Sequence, residues 1–265
     1  MILEVNRLVR EVRQNKDQVL IIHSFSSAEE LVAVAWTDGA LGNRPDHGST
    51  GGYLVGMSSG RLVDGEEEAV STISWRSAQL PRIARSSSLS CEVQSCSEGD
   101  QELWFIRLQW SELNGTRIDR RNINLAAQHT AGVLVIDARA CYDAIHKGLA
   151  CAGSALGLKE KNSAAELMAL MENIETTQTV VRWVHSHAQL ADGLTKPGAR
   201  HVLKEFLTTQ RWNITYDDKM RSAKVRRKVG LHKFEEDYRS ATHQEHATFL
   251  MPGFTVDWIC RYGPR

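Results

Sequence analysis

Apolar positions along this chain keep two different rhythms, and the points where the rhythm changes divide it into elements. Ile2, Val5, Leu8, Val9 and Val12 recur three and four residues apart among charges, which predicts an amphipathic helix over residues 2–14. Two short runs rich in branched residues follow, VLIIHSF from Val19 to Phe25 and LVAVAW from Leu31 to Trp36, and both read as buried strands. A loop with Gly, Pro and Asn leads to a further strand pattern from Ser49 to Met57. An acidic turn from Asp64 to Glu68 precedes another from Val70 to Trp75. The three strand patterns from Leu31 onward, joined by turns, predict an antiparallel meander.

From Leu89 the spacing lengthens. Leu89, Val93, Cys96, Leu103, Ile106, Trp110 and Leu113 recur at helical intervals, so one long helix is predicted despite Gly99. Val133 to Ile136 is a fourth strand of buried type, followed by helical material to about Ile145. A Gly/Ala-rich connection over residues 148–157 leads to a helix from Ala164 to Ile174. Thr179 to Val184 reads as the fifth strand, and Ala188 to Lys196 as a short helix stopped by Pro197-Gly198. The predicted fold class is α/β, a mixed five-stranded sheet flanked by helices. Residues 1–30 form a helical lead-in, 31–210 the domain, and 211–265 a basic C-terminal extension in which periodicity fades.

With 265 residues the chain can bury a sizeable core, and 42% hydrophobic against 24% charged residues is ordinary for a folded protein. Lys+Arg and Asp+Glu both total 32, so affinity for a polyanion has to come from local patches. The clearest patch is Lys219 to Lys233, which contains Arg226, Arg227 and Lys228 and no acid. It reads equally as a phosphate-binding run or as a solvated basic segment. Five cysteines without a C-x-x-C pair suggest neither a disulfide framework nor a zinc knuckle. There is no run of about 18 apolar residues. A cytoplasmic or nuclear protein, not secreted and without a membrane partner, is expected, and the sequons at Asn114 and Asn213 are read as chance matches.

Four acids occupy matching positions. Asp38 and Asp137 lie just beyond buried strands, Glu92 near the start of the long helix, and Asp192 in the last short helix. Strand ends hold side chains rigidly, and neighbouring strands would let Asp38 and Asp137 converge with Glu92. Carboxylates gathered without a basic partner repel one another unless a divalent cation, naturally Mg²⁺, sits among them. Two such ions about 4 Å apart activate a water on one side of a phosphodiester and stabilise the leaving oxygen on the other. Taken singly, such an acid is more often a turn residue or helix cap, and the weight lies in the joint placement of the four.

The residues around these acids carry a resemblance. Trp36-Thr37-Asp38 followed by Ser49-Thr50-Gly51-Gly52-Tyr53 resembles the opening of the ribonuclease H domain at the end of Ty1/copia-type retrotransposon polyproteins. Ser74-Trp75-Arg76-Ser77 and the run Ala84 to Glu92 are similar to that family's S-W-x-S and S-S-x-x-E segments. Val135 to Arg139 and Gln189 to Lys196 (QLADGLTK) are similar to its third and fourth blocks. Cys91 stands where the family usually has alanine. The four blocks span roughly residues 30 to 210.

The resemblance implies a ribonuclease H-like fold in which the meander continues into parallel strands. It also implies Asp38, Glu92, Asp137 and Asp192 as catalytic, metal-binding carboxylates holding two Mg²⁺, with Mn²⁺ able to substitute. The implied activity is cleavage of the RNA strand of an RNA–DNA hybrid. His185 and His187, before the last helix, are candidates for assisting proton transfer or product release. In the family this domain follows a reverse transcriptase, and residues 1–30 are too few to be one. A fragment or descendant is therefore expected, with a polymerase supplied by another chain as a possible partner. The alternative is a non-catalytic nucleic-acid-binding or assembly module.

Arg82, Arg85 and Ser88 lead into the long helix and are candidates for phosphate contact, although capping by Ser87 or Ser88 beside solvated arginines explains them equally. Trp36, Trp75, Trp104, Trp110, Trp183 and Trp212 are read mainly as core residues rather than stacking platforms. Gly51-Gly52 lacks the Lys-Ser/Thr of a P-loop, and no G-x-G-x-x-G precedes VLVID, which argues against nucleotide cofactors.

Overall fold

The computed structural model describes residues 2–26, 30–81, 87–150 and 161–214. Helix α1 (Ile2–Gln14) precedes β1 (Leu31–Ala40), β2 (Thr50–Ser59) and β3 (Glu68–Gln79). Then come α2 (Ser88–Leu113), α3 (Ile123–Ala127), β4 (Ala131–Ile136), α4 (Arg139–Ala150), α5 (Lys161–Thr177) and β5 (Thr179–Trp183). A 3₁₀ turn (Ser186–Ala188), α6 (Asp192–Thr195), α7 (Arg200–Thr209) and β6 (Arg211–Trp212) follow. The sheet order is β5-β4-β1-β2-β3-β6. The meander β1–β3 is antiparallel, and β4 and β5 run parallel to β1. This is the layered mixed α/β arrangement that the resemblance implies, with six strands rather than five, because Arg211–Trp212 pairs with the start of β3.

Strand β1 is the centre of the molecule. Its side chains alternate between two apolar layers, Val32, Val34 and Trp36 on one face and Ala33 and Ala35 on the other, and all five are fully buried. Burial on both faces explains why LVAVAW reads as an uninterrupted apolar run. The first layer is closed by Val184, Leu190, Val202 and Phe206, from the chain after β5. The second is closed by α2, α4 and α5 through Val93, Leu103, Ile145, Leu167 and Ile174. Each fully buried aliphatic side chain stabilises the fold by about 1.5–3 kcal/mol.

Helix α2 lies unusually close to the sheet. A Cβ added at Gly99 would sit 2.2 Å from Thr37 Cγ2, so only glycine lets the helix approach β1 at that level. The helix also buries polar side chains, which its apolar spacing did not reveal. Arg107 is nearly inaccessible and donates through Nε to Thr130 O (2.8 Å), through Nη1 to Thr179 Oγ1 (2.9 Å) and through Nη2 to Thr177 O (2.9 Å). Burial pulls its pKa down to about 10, against the charge of Asp100 two turns away on the same face of the helix. Asp100, bonded to Asn173 of α5, is itself pushed up to about 6 by burial. This network ties α2 to the starts of β4 and β5.

Several sequence expectations need correction. VLIIHSF forms no strand: Val19 to Ile22 are exposed, and Gln210 holds the segment by accepting from Ile21 N and donating to Val19 O. The predicted helix Ala188 to Lys196 is a 3₁₀ turn and a single turn of α6, with α7 beyond Pro197. Of the six tryptophans considered, Trp36 alone is fully buried, and Trp75 is 56% exposed. Ser87 occupies the N-cap position of α2 without a side-chain capping bond, and Ser88 is exposed. Among the described residues, no helix is long and apolar enough to cross a membrane. Arg82, Arg85, Arg226, Arg227 and Lys228 lie outside the described residues, as does the extension beyond residue 214.

Candidate metal centre

The parallel register of β1 and β4 brings two of the acids together. Trp36 is paired with Val135; two residues further along stand Asp38, within β1 rather than beyond it because the strand runs on to Ala40, and Asp137, just past the end of β4. An even step along a strand keeps the side chain on the same face, so the two carboxylates leave the sheet side by side. Glu92 comes from the second turn of α2. A Cβ at Gly39 would lie 2.5 Å from the backbone of Cys91, and this glycine lets the strand end touch the helix, with Gly39 N donating to Glu92 Oε2 at 3.1 Å. Asp38, Glu92 and Asp137 each present an oxygen within 4.8 Å of the others.

Asp192 opens α6 and lies beside this triad without joining it. Its Oδ1 accepts from Lys196 Nζ at 2.8 Å, and the same ammonium donates to Asp38 Oδ1 at 2.9 Å. The Thr195 hydroxyl donates to the other oxygen of Asp38. Ser186 donates to Asp137 Oδ2 at 2.8 Å, and Trp183 Nε1 to the Asp137 carbonyl at 2.8 Å. Behind the acids, buried Gln189 spans the two strands: its Nε2 donates to Thr37 O (3.0 Å) and Val135 O (3.4 Å), and its Oε1 accepts from Ala191 N (3.3 Å). His185 and His187 flank Ser186 with their rings stacked at 5.1 Å, so both stand on the loop that touches Asp137.

The electrostatics are those of crowded acids. Burial first, then the charges of Asp38, Cys96 and Asp137, push Glu92 up to about 10. Burial and Asp38 raise Asp137, and Lys196 and Ser186 oppose the shift. Asp192 is raised by burial, Asp137 and Asp38, again against Lys196. Burial disfavours the Lys196 charge, but Asp38 and Asp192 outweigh it and hold the ammonium above its usual range. A cluster that resists ionisation when empty releases its protons when a cation arrives. The donors are all carboxylate oxygens, a hard set that suits a divalent cation.

Lys196, Thr195, Ser186 and Gln189 were not singled out from the sequence. Three of them lie within QLADGLTK, but their partners are on β1 and β4, so only the tertiary register reveals what they touch.

No family model matches the chain, and no curated protein matches it. Among solved structures it is similar to the protease–reverse transcriptase of Prototype Foamy Virus, at 10% identity and a TM-score of 0.40, over 67% of this chain and 22% of that one. A foamy viral protease–reverse transcriptase in complex with RNA/DNA hybrid matches at 11% identity and 0.40, over 68% and 22%. The isolated ribonuclease H domain of the same virus matches at 13% identity and 0.37, over 66% of this chain and 99% of that one. The chain thus spans 22% of the length of each protease–reverse transcriptase.

Proposed function

We propose that this chain is a ribonuclease H-type endonuclease of Ty1/copia retroelement descent, which hydrolyses the RNA strand of RNA–DNA hybrids with Mg²⁺, or Mn²⁺ in its place. The observation that carries this reading is the convergence of Asp38 in β1, Asp137 just beyond the parallel strand β4 and Glu92 in α2, with Asp192 alongside. The four sequence blocks that resemble the family each deliver one of these acids, in the family's order.

Asp38, Glu92, Asp137 and Asp192 would hold the metal, and when bound it would lower the pKa of a water and neutralise charge on the phosphodiester. The chain's own residues set the geometry. Gln189 holds the carbonyls of Thr37 and Val135 at one spacing, so the strand ends bearing Asp38 and Asp137 do not splay. Gly39 N and Ser186 Oγ orient Glu92 and Asp137 by occupying one lone pair on each. His185 and His187, beside Ser186, are in place to exchange protons with solvent at the edge of the site.

The test is cleavage of a labelled RNA–DNA hybrid in Mg²⁺ and in Mn²⁺, beside duplex DNA, duplex RNA and an Asp137→Asn control. Hybrid-specific cutting of the RNA strand that vanishes in the variant is the expected result. Equal inactivity of two folded, hybrid-binding proteins would refute catalysis and leave a binding module.

A further inference from the structure

The acidic centre has two unequal halves. Asp38, Glu92 and Asp137 gather three oxygens within 4.8 Å of one another. Beside that triad, Asp38 Oδ1 and Asp192 Oδ1 are bridged by the ammonium of Lys196 at 2.9 and 2.8 Å. Building on the reading of these acids as metal ligands, we propose that Lys196 is a tethered counter-ion that holds the place of a second divalent cation. The metal-free chain then presents one ready cation site and one plugged by its own side chain.

Three features support this. An ammonium bonded to two carboxylates supplies one of the two positive charges a divalent ion would bring, and it repels such an ion from the same oxygens. The backbone of Lys196 is anchored, since its N–H donates to Asp192 O at 2.8 Å and Pro197 follows directly. Its side chain, in contrast, is 41% exposed, so the head group has a way out to water while the stem stays attached. Asp38 is also held from its other oxygen by Thr195, which keeps the carboxylate oriented whichever cation faces it. Cations therefore load in order: one at the triad, and a second only as Lys196 leaves. A polyanionic substrate gives the displaced ammonium a new partner, so substrate and second cation fill their places together.

Calorimetric titration of the full chain with Mg²⁺, without nucleic acid, tests this on wild type, Lys196→Met and Asp137→Asn. Wild type is expected to bind one Mg²⁺ tightly and a second only weakly, and Asp137→Asn to lose the first. Lys196→Met is expected to bind two, its second at least about fivefold more tightly than wild type does, the equivalent of one partly exposed ion pair. The thermal midpoint of Lys196→Met should fall without Mg²⁺ and recover with it, whereas a lysine needed only for packing would depress both equally.

Should that variant fail to fold, ¹⁵N-lysine labelling of wild type gives a second measurement. The Lys196 ammonium signal is expected to stay protected from exchange while the first Mg²⁺ binds and to lose protection only as the weak second Mg²⁺ saturates. One Mg²⁺ bound with unchanged affinity by both wild type and Lys196→Met overturns the counter-ion proposal and leaves the metal centre standing. Two Mg²⁺ in wild type with the lysine signal unmoved does the same. No Mg²⁺ bound by any of the proteins overturns the metal reading, and this proposal with it.

Discussion

Replacing Gln189 with leucine keeps the side-chain volume nearly constant and removes a polar clamp between β1 and β4. Three hydrogen bonds disappear: Nε2 to Thr37 O at 3.0 Å, Nε2 to Val135 O at 3.4 Å, and Ala191 N to Oε1 at 3.3 Å. Gln189 is fully buried, so water does not replace them. The short bond dominates, because a buried carbonyl left without its donor costs about 1–3 kcal/mol. The two longer bonds add less, Val135 O keeps a contact with Thr37 Oγ1, and leucine regains some apolar burial. The net expectation is a loss of about 2 kcal/mol, or roughly 4–8 °C in Tm for a domain of this size.

Thermal and urea unfolding in EDTA measure that loss, and calorimetry on the same variant measures Mg²⁺ affinity. The affinity should fall as well, because Thr37 immediately precedes Asp38 and Val135 lies two residues before Asp137. A variant within about 0.5 kcal/mol of wild type, the ordinary scatter of neutral substitutions, with unchanged Mg²⁺ affinity would refute the clamp.

Arg107→Met removes three hydrogen bonds and strands Asp100 in the core, so unfolding experiments should show a loss of about 3–5 kcal/mol, part of which Asp100→Asn restores in the double variant. Gly39→Ala forces β1 off the start of α2, and a fall of about 1–3 kcal/mol in unfolding free energy together with weaker Mg²⁺ binding is expected. In the metal-free protein Glu92 is raised from its ordinary 4.5 to about 10, so between those values the folded state keeps a proton that the unfolded state has released. Its contribution to stability is complete below 4.5 and is lost as pH rises through about 10. EDTA-treated protein should therefore unfold more readily at pH 9 than at pH 6, with Mg²⁺ narrowing the difference.

Much of the central sheet was legible because β1 and β4 are buried on both faces and leave unbroken apolar runs in the sequence. The same signature misled at Val19 to Ile22. Branched apolar residues favour extended backbone wherever they occur, but a strand also needs a free edge to pair with, and this segment is held instead by side chains, Gln210 at Val19 and Ile21 and Ser71 at His23. Helix α7 went unread because Pro197-Gly198 looks like a terminus. There the proline instead starts a 3₁₀ turn, and Val202 and Phe206, four residues apart, carry the apolar face. The acids were found through their blocks, whereas Lys196 and Gln189 act across elements distant in sequence and leave no periodic trace. The buried Arg107 was hidden for a related reason: one charged residue among the apolar positions of α2 looks like the solvent side of a helix until β4 and β5 close over it.

The parallel pairing of β1 with β4 also gives the site a history in time. The meander joins strands that are neighbours along the chain and can zip up locally, but Trp36 meets Val135 only after α2 and α3 have been threaded between them. The three acids Asp38, Glu92 and Asp137 therefore come together only once that long-range pairing has formed. Cation uptake is accordingly expected to lag behind helix formation in refolding. A chain cut short before β4 would lack Asp137 and Asp192, two of the four candidate ligands.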